Sequence, residues 1–204
     1  MPGKGNRVNK IKLVLASKSP RRKEFFDWLD LPYTIKTVHI EEKSLKTSPR
    51  DIVEDLAWQK GSAVLNILTE DSLVVSADTI VTLDGKIFGK PESTSEAKKI
   101  LLELAGKTHQ VITAVYLGSG LKEKVFSDQT DVSFGEIPAD LLEIYLASKD
   151  SLDKAGAYGI QGMAQSFITS IHGNYSNVVG LPMPQLIQEM GIFFNNKCWR
   201  SYFV

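Results

Sequence analysis

The chain has little of what marks a secreted, membrane-spanning or nucleic-acid-coating protein. It contains a single cysteine, Cys198, so no disulfide can close within it, and a reducing interior is the natural setting. No segment approaches the ~20 uninterrupted apolar residues of a membrane-crossing helix. The start, Met-Pro-Gly-Lys-Gly-Asn-Arg, lacks the apolar centre of a secretion signal, so a cytoplasmic location is expected. Net charge is also missing: 24 lysines and arginines balance 24 aspartates and glutamates, which argues against the basic footprint of a nucleic-acid binder. His39, His109 and His172 lie too far apart in sequence to suggest a zinc site. There is no internal repeat or low-complexity tract, and the sequon Asn174-Tyr175-Ser176 needs a secretory route that nothing else supports.

What is present is apolar material, 43% of 204 residues, enough for a full core as one domain or two closely joined lobes. The apolar run Ile11-Lys12-Leu13-Val14-Leu15-Ala16 predicts a strand, followed by a helix from Pro20 to about Leu29 and an extended piece from Tyr33 to Val38, a β-α-β beginning. Ser48-Pro49 opens a second helix to about Leu68, with Ile52, Val53, Leu56, Ala57, Ala63, Val64 and Ile67 at helical spacing. Residues 73–83 predict a strand, Asp84-Gly85 a hairpin turn into 86–88, and Ser93 with Glu96 a capped helix stopped at Gly106. Strands are expected over 110–117 and 125–134, with a turn at Gly118-Ser119-Gly120, and a helix over 138–147. The small-residue segment 150–165 reads as a binding loop, followed by a strand over 166–171, a turn at 172–174 and a last helix over 184–190. Phe193, Phe194, Trp199, Tyr202 and Phe203 in the tail are expected to dock on the core.

Several charges stand where structure alone would not put them. Ser19 as N-cap and Pro20 as first helical residue place Arg21, Arg22 and Lys23 at the positive end of a helix dipole. Each cation there is disfavoured by ~0.3–1 kcal/mol unless an anion such as a polyphosphate sits among them. Lys60 falls at the centre of the second helix's apolar arc, where an unpaired ammonium would cost several kcal/mol; it either reaches water along its stem or meets an anion. Lys90 stands in Gly89-Lys90-Pro91. The stretch Gly85–Pro91 is no Walker A loop, because three residues separate its glycines instead of four and proline replaces the hydroxyl. Convergence of these cations on one polyanion accounts for them together.

The candidate acids are Asp78, inside a strand where a carboxylate is costly unless paired or coordinated, and the loop pair Glu41-Glu42, which taken alone reads as a solvated loop. Carboxylates near polyphosphate oxygens form the usual site for magnesium or manganese. Asp128 and Asp131 read as surface charges on a strand.

These segments resemble the Maf family of nucleoside triphosphate pyrophosphatases. The resemblance rests on Leu15–Arg22, Ser76–Val81, Gly89–Pro91, Gly106–Val115, Asp153–Gly162 and Asn177–Pro182, in order across about residues 12–190. Residues 1–11 and 192–204 have no counterpart and read as terminal extensions of one Maf-like domain over 1–204. The resemblance implies an α/β fold of the inosine triphosphate pyrophosphatase type (Maf/Ham1), a mixed twisted sheet flanked by helices with a cleft between two lobes. It implies hydrolysis between the α- and β-phosphates with a divalent metal, Mg2+ or Mn2+. Asp78 would be the catalytic carboxylate, acting with Lys60 and Glu42. Ser17, Arg21, Arg22 and Lys90 would hold or neutralise phosphates, and Gln161 would line the pocket. Glu42 and Asp78 would bind the metal. The Asp153–Gly162 loop is similar to the branch acting on dTTP and UTP rather than 7-methyl-GTP, with surplus or non-standard pyrimidine triphosphates as substrates to be cleared. A homodimer is implied, with neither nucleic acid nor membrane as partner. The competing reading is a nucleotide-binding regulator of cell division or septum formation that turns nothing over. The joint presence of Asp78, Lys60 and Glu42 favours the enzyme.

Overall fold

Strand β1 (Lys12–Leu15) buries Leu13, Val14 and Leu15 and feeds helix α1 (Pro20–Trp28), whose Phe25 and Phe26 are buried. The structure, a computed structural model, describes residues 10–120, 122–195 and 198–203; the opening segment read for a leader lies outside them. Strand β2 (Tyr33–Ile35) follows, shorter than the extended piece expected to Val38, and pairs parallel to β1. Helix α2 (Pro49–Leu65) is capped by the Ser48 hydroxyl, which accepts from the Asp51 amide. It ends at Leu65, so Ile67 leaves the expected stripe and is exposed.

Strand β3 (Ser72–Leu83) turns at Asp84 and Gly85, both at positive φ as a type I′ hairpin requires, into β4 (Lys86–Phe88). Helix α3 (Thr94–Leu104) carries its Ser93 cap, and Gly106, φ +67°, ends the turn after it. Strands β5 (Thr108–Ser119) and β6 (Lys122–Phe134) extend past the turn expected at 118–120. After α4 (Ala139–Ala147), residues 150–167 hold two 3-10 turns. Strand β7 (Ile168–His172) therefore starts two residues later than expected. Helices α5 (Tyr175–Val179) and α6 (Met183–Phe193) follow, and then a 3-10 turn at Trp199–Tyr202; α5 has no counterpart in the periodicity reading. The tail docks as expected, with Phe193, Trp199 and Phe203 buried and Phe203 bridging Ile11.

The sheet runs β2-β1-β3-β5-β6-β7, with β4 also on β3. It is parallel at β2-β1-β3 and antiparallel elsewhere. Strand β1 covers β3 only to Val75, and β4 resumes at Val81. Residues 76–80 of β3 thus have a partner strand only on the β5 side among the described residues, leaving a notch in the sheet. Two large apolar clusters share the partly buried Ile168 and Val178. One holds Leu15, Phe26, Val75, Ala77 and Leu186; the other holds Val81, Leu101, Val111, Tyr145 and Phe167. Asp78 lies on β3 between Ala77 of the first cluster and Val81 of the second.

Helix α2 packs across the other face of β3 and β5, and its approach is set by Gly61. A Cβ there would lie 2.1 Å from Tyr116 Cδ1 and 2.7 Å from Ser76 Oγ, and the Ser76 hydroxyl itself donates to the Ala57 carbonyl at 2.6 Å. Replacing Gly61 with alanine is expected to cost about 1–3 kcal/mol by overpacking, read as a lower urea midpoint, and to push neighbouring Lys60 away from the sheet. An unchanged midpoint would show that α2 has slack there.

Candidate active site

The notch lies at the carboxyl ends of parallel strands β1 and β2, where open α/β sheets bind ligands. From the end of β1 the chain enters α1 through Ser17–Arg22. From the end of β2 it enters the loop carrying Glu42. Strand β3 runs past both and presents Asp78. A cavity of about 580 Å³ is lined by Arg21, Arg22, Glu42, Lys60, Asp78 and Lys90, with Gln161 from the 150–165 loop. A second, of about 690 Å³, shares Arg21, Arg22, Glu42, Lys60 and Lys90 and adds Ser17, Lys18 and His39. All eight residues singled out from the sequence therefore face one continuous cleft.

At its centre Lys60 is not unpaired. Its Nζ lies 2.6 Å from Asp78 Oδ1 and 2.8 Å from Glu42 Oε2. Asp78 and Lys60 are largely buried side chains, 16% and 21% exposed, which explains how an apolar stripe tolerates an ammonium. Asp78 Oδ2 makes no hydrogen bond among the described residues and remains available to a ligand or water. Of the acidic loop pair, Glu42 reaches the cleft, while Glu41 pairs with Lys43 in solvent. The Glu42 loop is also tied to α2 by Gln59, whose amide donates to the Lys43 carbonyl at 2.8 Å.

Ser19 sits at the α1 cap without a side-chain capping bond. The hydroxyl that works there is that of buried Ser17, which accepts from the Ser19 amide at 3.2 Å and from Arg22 Nη1 at 3.4 Å. Arg22 is fixed further by neutral acceptors, the Gly180 carbonyl (2.8 Å, from Nε) and the Thr79 hydroxyl (3.1 Å, from Nη2). Burial pushes its guanidinium below the usual value; Asp78 and Glu42 oppose that shift and Arg21 adds to it. Arg22 has no ion-pair partner among the described residues, so its charge is free for an anion. Lys18 and Lys90 likewise have none. Across the two cavities six cations (Lys18, Arg21, Arg22, Lys60, Lys90 and Lys154) face three carboxylates (Glu42, Asp78 and Asp153). The cleft is built for a polyanion.

Sequence reasoning missed the scaffold behind Arg22. Thr79 Oγ1 is 3.0 Å from Thr113 Oγ1; Thr113 donates to the Asn177 carbonyl at 2.8 Å and Asn177 Oδ1 accepts from the Thr113 amide. Asn177 Nδ2 reaches the Val111 carbonyl and the Thr130 hydroxyl, both at 3.0 Å. It also missed Asp153 and Lys154. Asp128 and Asp131 are half-buried rather than surface charges, Asp128 accepting from Asn174 and Asp131 keeping one oxygen buried without a partner.

The cleft-lining Tyr158 is anchored from behind. Its phenol lies 2.7 Å from Nε2 of His109, which is 1% exposed and has Nδ1 unpaired. Burial pushes His109 down to about 4 from 6.5. A lowered histidine pKa favours the fold while the ring is neutral, so its contribution is complete above pH 6.5 and is lost as pH falls towards 4. The full loss is on the order of 3 kcal/mol. Urea midpoints measured from pH 7 to pH 4 are expected to fall less steeply for His109→Phe than for the parent; equal slopes would remove His109 from the acid sensitivity.

Among the described residues no cluster of three or more His, Cys, Asp or Glu side chains forms a metal cage, and no helix is long and apolar enough to cross a membrane. Two hard carboxylates gathered on one ammonium fit a divalent ion completed by substrate oxygens, the usual mode for magnesium.

Residues 12–192 match the Maf-like protein family. The dTTP/UTP pyrophosphatase of Bacillus cytotoxicus is 46% identical over 183 residues, covering 89% of this chain and 95% of its own. That of Bacillus mycoides is 45% identical over 183 residues with the same coverage, and one from Bacillus cereus 45% over 186, covering 91% of each chain. The solved Staphylococcus aureus Ham1 protein is 18% identical, with a TM-score of 0.43, over 60% of this chain and 71% of its own.

Proposed function

Because this chain belongs to the Maf-like protein family, we propose that it is a nucleoside triphosphate pyrophosphatase cleaving dTTP and UTP, and modified pyrimidine triphosphates, to the monophosphate and pyrophosphate. The observation that carries the reading is the Glu42–Lys60–Asp78 chain set among Arg21, Arg22 and Lys90 in one cleft.

Asp78 accepts a proton from, or orients, the water that attacks the α-phosphorus, using Oδ2 while Lys60 holds Oδ1. The attack forms a bond from water oxygen to α-phosphorus and breaks the bond from that phosphorus to the bridging oxygen; the electron pair leaves with pyrophosphate. Arg22 meets phosphate oxygens from a fixed position, Ser17 and Arg21 hold the chain at the helix start, and Lys60 and Lys90 offset the developing charge. Positioning and charge neutralisation supply most of the rate. Glu42 and Asp78 would hold Mg2+ or Mn2+, which supplies further neutralisation of the phosphates. The apolar end of the cavity, Ile52, Leu56 and Ile87, with the Gln161 amide, suits a nucleoside, and an amide can pair with a pyrimidine edge. A cytoplasmic homodimer completes the reading.

The test is a panel of standard and modified nucleotides with Mg2+ or Mn2+, scored for which are cleaved and which phosphates leave. The expected result is monophosphate and pyrophosphate from dTTP and UTP ahead of purine triphosphates. Tight binding of dTTP with no monophosphate after prolonged incubation would make the chain a nucleotide-binding regulator instead.

A further inference from the structure

The cleft cations differ in how they are held. Arg22 is fixed by neutral acceptors and Lys60 by two carboxylates, whereas Arg21 reaches across the cleft mouth to Asp153 of the 150–165 loop, Nη1 to Oδ2 at 3.2 Å. This is the loosest of the cleft ion pairs and the most open, with Asp153 60% exposed. Asp153 and Arg21 both line both cavities, so the carboxylate lies on a cation that faces the phosphate end of the cleft.

The loop does not need this pair to stay in place. Lys154, 9% exposed, donates to the Asp150 carbonyl and the Asp150 carboxylate, each at 2.6 Å, and its stem fills the space a Cβ at Gly159 would take. The Gly156 amide donates to the Gly89 carbonyl at 3.1 Å, joining the loop to the segment that carries Lys90. Asp153 Oδ1 takes the third donor of the same ammonium, at 2.6 Å, and that contact does not involve Oδ2, the oxygen on Arg21. The Asp153–Arg21 pair can therefore open while the loop remains seated.

We propose that Asp153 is a built-in counterion of Arg21 that competes with phosphate oxygens and limits retention of pyrophosphate after cleavage; this rests on the pyrophosphatase reading. An anion that takes the Nη1 edge of Arg21 competes with the carboxylate for it, and it binds more weakly by up to the strength of that pair. Exposed pairs are modest, so removing Asp153 is expected to tighten pyrophosphate by about 3–10-fold, with stronger product inhibition.

The experiment is a double-mutant cycle on the full chain, with pyrophosphate binding read by calorimetry in the parent, Asp153→Asn, Arg21→Ala and the double variant. The proposal expects a gain in affinity from Asp153→Asn in the parent background and a change within twofold in the Arg21→Ala background. A gain of equal size in both backgrounds would reduce Asp153 to a general field effect and overturn it. No gain, or weaker binding, would make Asp153 a support for the loop and overturn it equally. Turnover of dTTP by the parent is scored separately: pyrophosphate binding without turnover refutes the pyrophosphatase reading, and the cycle still decides competition for Arg21.

Discussion

Asp78→Asn is expected to lower pyrophosphate release from dTTP by about 1,000-fold or more, a loss of at least ~4 kcal/mol of transition-state stabilisation, while the protein stays folded. The substitution is isosteric. Its amide oxygen can still accept from Lys60, which keeps Glu42 as a second partner at 2.8 Å, so α2 and the sheet remain locked by Gly61 and Ser76. What disappears is the negative charge and the ability to take a proton from water at the oxygen that no protein donor occupies. Pyrophosphate yield under saturating dTTP and metal, with circular dichroism and a urea midpoint on the same sample, checks both halves. Activity within tenfold of the parent would remove Asp78 from the chemistry.

Lys60→Met should lower kcat by about 100-fold or more with a smaller rise in KM. The methionine preserves the apolar stem on α2, so the helix keeps its packing against β3. The ammonium, however, is the one group among the described residues joining Asp78 to Glu42, and its removal leaves two carboxylates without their shared cation. The Glu42 loop then depends on the Gln59 contact to Lys43 alone among the ties described above. Initial rates across dTTP and Mg2+ concentrations separate the two parameters. A pure KM effect would assign Lys60 to ground-state binding and contradict its role in offsetting the developing charge.

The residues that betrayed themselves in the sequence are those whose charge conflicts with their local pattern. Lys60 interrupts an apolar helical arc, Asp78 interrupts a strand, and Arg21 and Arg22 stand at the wrong end of a dipole. Such conflicts persist only where tertiary structure or a ligand compensates them, and the fold supplies that compensation at one place, the notch between β1 and β4. The hairpin at Asp84-Gly85 was equally legible because its backbone demands positive φ at both residues. Asp153 falls in the loop read as a binding segment, but nothing marked it singly, since an aspartate in a loop is ordinary and its partner lies 132 residues away. Thr79, Thr113 and Asn177 were silent for a related reason: threonines suit strands, and their hydrogen bonds depend on strand register and on α5, a five-residue helix too short to show a period. Ile67 misled because the apolar spacing continued past the point where the helix stops, at Leu65.

The central claim is that water held at Asp78 attacks the α-phosphorus of a triphosphate whose tail is spread over Arg21, Arg22 and Lys90. Hydrolysis of dTTP in 18O-labelled water, with the products resolved by mass spectrometry, tests it most directly. The account predicts dTMP carrying one labelled oxygen and unlabelled pyrophosphate. Label in the pyrophosphate, or products dTDP and inorganic phosphate, would contradict it.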